Sequence, residues 1–109
     1  MRNIKLTIEY DGTNYVGWQK QINGIGIQTK IEEAIFNTTN ERVNLTGSGR
    51  TDSGVHARGQ VANFRTNSSI PGEKFKDALN IKLPWDIAIV ESEEVDLDFH
   101  SRYDAVAKE

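Results

Sequence analysis

The sequence contains no cysteine. That excludes disulfides, thiolate nucleophiles and cysteine-based metal sites, and it suits a reducing compartment, so a cytoplasmic protein is expected. Long hydrophobic runs are also missing. No stretch approaches the roughly 20 apolar residues of a membrane span, so no membrane partner is expected. The start, Met1-Arg2-Asn3-Ile4, runs straight into strand-like sequence and carries no signal-peptide pattern. Proline occurs only at positions 71 and 84. Apolar residues are modest at 37%, against 27% charged. That balance supports a small core rather than disorder. At 109 residues the chain has the size of one domain. Its surface fraction is high, so a partner surface would add to its stability.

Charge of one sign is scarce too. The net charge is −3, which argues weakly against a nucleic-acid partner. The two ends differ, however. Residues 1–65 hold eight Lys or Arg against six Asp or Glu, whereas residues 66–109 hold five against ten. A phosphate backbone would prefer the first part. The plainer reading is a surface solvated by charges of both signs, because so small an excess is a weak field.

No repeat or low-complexity segment is visible. Ile4, Leu6, Ile8 and Tyr10 alternate with Lys5, Thr7 and Glu9, which predicts a half-buried strand. Asp11-Gly12 ends it as a turn. Residues 11–26 are rich in glycine, carry Tyr15 and Trp18, and read as a long loop of the kind usually tied to function. Packing of the two aromatics onto the core is the favoured role, with stacking on RNA bases the alternative. Ile27, Ile31, Ala34 and Ile35 mark one face of a helix that ends near Asn40. A short strand is expected over 44–48 and another over 60–66. Pro71-Gly72 opens a second helix with Phe75, Ala78 and Leu79 on one face, and Pro84 stops it. Ile87 to Val90 suits a buried strand. Glu91, Glu93, Glu94, Asp96 and Asp98 then read as a solvated edge that repels other strands. The order predicts an α+β fold of βαββαβ type, an antiparallel sheet with both helices on one face.

The chemistry concentrates in residues 47–59, Gly-Ser-Gly-Arg-Thr-Asp-Ser-Gly-Val-His-Ala-Arg-Gly. Only Val55 and Ala57 are apolar there, so burial gains little. Asp52 follows Arg50 by two residues. In an extended segment both point to one face, and the guanidinium would keep the carboxylate ionised. An ionised, oriented carboxylate can serve as nucleophile or general base. Arg50 could instead bind a phosphate. The bland alternative is an aspartate that caps backbone amides in a turn, beside a surface ion pair of small value. His56 and His100 lack any recognised metal spacing, so no metal is expected. The glycines do not fit a Walker phosphate loop, because Gly49-Arg50-Thr51 lacks the lysine and the spacing.

Gly49-Arg50-Thr51-Asp52-Ser53-Gly54-Val55-His56-Ala57 resembles the catalytic motif of the TruA family of tRNA pseudouridine synthases. Tyr10-Asp11-Gly12 with Gly17-Trp18-Gln19, then Gln28 and Ile31, resemble its first strand, loop and helix. Gly59-Gln60-Val61-Ala62, Leu83-Pro84 and Phe99-His100-Ser101-Arg102-Tyr103 resemble later signatures, in the right order. The resemblance implies a ferredoxin-like domain and isomerisation of uridine to pseudouridine in the anticodon stem-loop of tRNA, without a cofactor. It implies Asp52 as the catalytic residue, through attack on C1′ or proton removal from the ribose, with the target base extruded. Arg50 would orient Asp52 or hold the vacated space. Thr51 and His56 would support the loop. Arg58 and Lys20, and less directly Arg65, are candidate phosphate contacts, each equally readable as a solubilising cation. His100 and Arg102 would line the cleft.

Family members are about twice as long, form homodimers and carry a second, related domain. In them a Tyr-x-Tyr strand follows the Phe-His-x-Arg signature. Residues 1–104 are therefore expected to form the aspartate-bearing N-terminal domain. Residues 105–109 would begin the connection to a second domain, and this chain alone would be inactive. The competing readings are a non-catalytic RNA-binding module and a dimerisation domain of the same plan. The first would place exposed aromatics on two central strands, and residues 61–66 supply only Phe64.

Overall fold

The computed structural model describes residues 1–11, 26–47 and 57–100, with the backbone alone at 57 and 58. Among these, β1 (Arg2–Tyr10) is followed by α1 (Ile27–Thr39), β2 (Thr46–Gly47) and β3 (Ala57–Thr66). A 3-10 turn (Gly72–Lys74) leads into α2 (Phe75–Lys82), and β4 (Ile87–Val95) completes the sheet. The strands lie in the order β2-β3-β1-β4, each antiparallel to its neighbour. This is the α+β, ferredoxin-like arrangement that the alternating patterns predict.

The core follows from two periodicities. Ile4, Leu6, Ile8 and Tyr10 of β1 are buried on the helix side, facing the stripe Ile27, Ile31, Ala34 and Ile35 of α1. Phe75 and Leu79 supply the buried face of α2, and Ala62, Phe64, Ile87 and Ile89 fill the flanking strands. Each fully buried aliphatic side chain contributes roughly 1.5–3 kcal/mol over exposure. Phe64 and Phe75 meet edge to face with ring centroids 5.4 Å apart, a favoured aromatic geometry.

The helix ends are set locally. Asn40 closes α1 in the left-handed region, φ 62°, with its N–H donating to Phe36 O at 2.7 Å. Asparagine tolerates that conformation better than most residues. Leu83 N–H donates to Leu79 O, and Pro84 follows as the predicted stop. At the start of α2, Ser92 Oγ on β4 accepts the Lys76 N–H at 2.8 Å, so an otherwise unpaired first-turn donor is satisfied from the sheet.

Strand β4 differs from expectation. It runs on through the acidic residues to Val95, and Ala88 and Val90 are exposed. The apolar run 87–90 is thus half-buried, because β4 is the sheet edge and its other face is open. Glu91, Glu93 and Glu94 do lie on that edge, whereas Asp96 and Asp98 fall in the turn after it. Asn80 of α2 further protects it: its side chain donates to Ile89 O at 3.0 Å and accepts from Ile89 N–H at 2.8 Å.

Candidate functional site

Strand pairing brings the stems of both predicted functional segments together. Tyr10 ends β1 opposite Ala57, the first residue of β3. Residues 12–25 therefore depart about one strand spacing, ~4.8 Å, from where residues 48–56 return. The turn before β4 joins the same end: Asp11 N–H donates to Asp86 O at 2.9 Å, and Ile87 pairs with Tyr10.

The other stem, β2, is held by α1. Gln28 Nε2 donates to Leu45 O at 3.0 Å and to Glu32 Oε2 at 3.0 Å. Glu32 Oε2 also accepts the Leu45 N–H at 2.9 Å. One carboxylate and one amide thus clamp both backbone groups of the residue that leads into β2. Charge-assisted bonds of this kind are among the stronger ones.

Two β-bulges interrupt the ladders at this end. Between β1 and β3 the register passes from Ile8↔Gln60 to Glu9↔Arg58, leaving Gly59 as the extra residue. Between β1 and β4 it passes from Thr7↔Glu91 to Ile8↔Ile89, leaving Val90 extra. A bulge reverses which face the following residues address, and bulges commonly adjoin functional sites. The first sets position 58 opposite Glu9 and position 57 opposite Tyr10.

Of the sequence-predicted residues, Asp52, Arg50, Thr51, His56, Lys20 and Arg102 lie outside the described residues. Arg58 is placed by its backbone alone. His100 is half-buried, at the end of the segment that leaves β4. Arg65 sits at the far end of the sheet, opposite Asn3, with its guanidinium donating to Leu97 O at 3.0 Å. Among the described residues, no cluster of three or more His, Cys, Asp or Glu could hold a metal ion. No described helix is long and apolar enough to cross a membrane.

The open face of the sheet, away from the helices, is polar. By register it carries Asn3, Lys5, Thr7 and Glu9 of β1 beside Val61, Asn63 and Arg65 of β3. Phe64 faces the core and is buried, so among the described residues neither central strand offers the exposed aromatics of an RNA-stacking platform. Two residues carried no sequence signal. Asn3 is buried on the nominally open face. Trp85, beside Asp86 in the turn before β4, is 83% exposed.

A family profile described as tRNA pseudouridine synthase matches residues 6–104. A Clostridium perfringens protein named tRNA pseudouridine synthase A 2 is 66% identical over 108 residues, covering 99% of this chain and 44% of that protein. An Acetivibrio thermocellus protein named tRNA pseudouridine synthase A is 64% identical, and one from Clostridium botulinum strain Eklund 17B is 61% identical, with the same coverage. The chain thus spans somewhat less than half the length of these curated relatives. With the profile matched over nearly its whole length, the chain belongs to the tRNA pseudouridine synthase family.

Proposed function

We propose that this chain is the aspartate-bearing domain of an enzyme that isomerises uridine to pseudouridine in the anticodon stem-loop of tRNA. The observation that carries this is the family match across residues 6–104, which includes the Gly49–Ala57 motif. The N1–C1′ bond breaks, the uracil turns, and C5 bonds to C1′. The C5 proton is released and N1 gains one, so no cofactor or metal is called for.

Asp52 is the catalytic residue, as nucleophile at C1′ or as base at the ribose. Arg50 orients it and pairs with phosphate or holds the space left by the extruded uridine. Thr51 and His56 support the loop, and Arg58, Lys20, His100 and Arg102 contact the RNA. The relatives' greater length implies a second domain that completes the cleft. The complete enzyme is a cytoplasmic homodimer, and the 109-residue chain alone does not turn over.

Tritium release from C5-labelled uridine in tRNA tests the proposal. The 109 residues, exchanged for the matching part of the Clostridium perfringens relative, should give an active chimera. Asp52→Ala in that chimera should abolish release while leaving tRNA binding largely in place. Retained turnover would remove Asp52 from its role, and robust turnover by the 109-residue chain would refute its dependence on a second domain.

A further inference from the structure

The open face of the sheet holds a buried polar cluster that the reaction as proposed does not use. Asn3 belongs to that face, yet its exposure is 0%, because the chain leaving β4 folds back over it. Asn3 Nδ2 donates to two carbonyls of that fold-back, Asp96 O at 2.9 Å and Phe99 O at 3.0 Å. Asn3 Oδ1 accepts from Asn63 Nδ2 at 3.1 Å. Arg65 takes the carbonyl of Leu97, and Phe99 N–H donates to Asp96 O at 3.0 Å to close the turn. Three of the four carbonyls from 96 to 99 are therefore held by side chains of β1 and β3.

The arrangement is directional. Asn3 and Lys5 are successive open-face positions on β1, about 7 Å apart. The turn is gripped at Asn3, and the Phe99 ring reaches toward Lys5, with Nζ 5.8 Å from its centroid. Lys5 is one step nearer the end where residues 48–56 rejoin the sheet. The turn thus fixes where His100 starts. Apolar side chains would cover the sheet as well as an asparagine pair does, and without the cost of burying amides. They could not fix two specific carbonyls; a fully satisfied polar network can.

We propose that Asn3, backed by Asn63, is a positioning residue for pseudouridine formation: it holds the 96–99 turn so that His100 is delivered to the RNA. This rests on the tRNA-modifying reading above. It adds a role for two side chains that lie far in sequence from the Asp52 motif.

The test uses the full-length chimera. Asn3→Leu with Asn63→Leu removes the amide–amide bond together with both its partners, and it takes the Asn3 donor from the Asp96 and Phe99 carbonyls, at a cost of about 1–3 kcal/mol that a folded domain can bear. The variant should unfold cooperatively and keep the parent circular dichroism. Its kcat on tRNA should nevertheless fall about tenfold or more, since displacements near 1 Å cost up to ~100-fold. KM should shift less than kcat. His100→Ala should then cost at least several-fold less in the leucine background than in the parent, because residues that act as a unit are not additive. Parent-like kcat in a folded leucine variant overturns the inference, as does a His100→Ala penalty equal in both backgrounds. Asn3→Ser, too short to reach both carbonyls, provides the same comparison if the leucine pair does not fold. An unaltered chimera that releases no tritium, or releases it without Asp52, would sink the enzymatic reading instead.

Discussion

Replacing Gly72 with alanine should destabilise this domain, although chain entropy alone argues the opposite. At a compatible position the change stabilises by ~0.4–1 kcal/mol, through a more restricted unfolded chain. Gly72, however, is buried where the 3-10 turn crosses β4. An added methyl would run into the backbone nitrogen of Glu94, with the Glu93 carbonyl carbon at 3.0 Å and Glu94 Cβ at 3.1 Å. A flexible side-chain tip could swing away from such a methyl. This backbone cannot, because Ile4↔Glu94 and Lys5↔Glu93 pair it with β1. Overpacking of this kind costs ~1–3 kcal/mol. The clash therefore outweighs the entropic gain, for a net loss of about 1–2 kcal/mol. In a domain of this size that lowers the melting temperature by roughly 5–15 °C. Urea unfolding should show a lower midpoint at unchanged m-value. A midpoint equal to or above the parent's would refute the reasoning, since the methyl would then have been accommodated.

Two further perturbations test the core and the edge. Phe64→Leu and Phe75→Leu should each destabilise, and their double-mutant cycle should return a coupling of about 0.5–1.5 kcal/mol for the edge-to-face pair; additive effects would show that the rings do not meet. Asn80→Ala should cost about 1–2 kcal/mol by removing both bonds to Ile89. It should also promote concentration-dependent association along the opened β4 edge, read by light scattering; a monodisperse, equally stable variant would deny Asn80 that protective role.

Local pattern made much of the fold legible. The α1 stripe, the β1 alternation, the stop at Asn40 and the break at Pro84 each follow from a few neighbouring residues, and each is where the pattern puts it. What failed to show depends on distance. The second part of β4 was hidden because the Val90 bulge breaks its period of two and charged residues fill its open face. Asn3 precedes the β1 alternation and falls on its polar side. Its burial comes from a fold-back more than ninety positions away, which no local window contains. The Asp52 motif was legible as chemistry only through its family resemblance. Its composition alone fitted a capped turn equally well.

Under the proposed function, precision at Asp52 draws on the two ends of its segment. A segment with four glycines and two small or branched apolar residues in thirteen gains little from burial. Its two ends are tied into the fold. On one side, Gln28 and Glu32 of α1 clamp both backbone groups of Leu45, just before β2. On the other, β3 enters the central ladder opposite Tyr10, after a bulge at Gly59 that resets which face positions 57 and 58 address. Both stems are anchored to elements whose core residues are almost fully buried, Ile31 and Ile35 on α1 and Ile8 and Tyr10 on β1. The helix stripe and the strand alternation thus do more than stabilise the fold. They fix the two points between which the Asp52 segment runs, while the Asn3 clamp holds a different segment, the 96–99 turn.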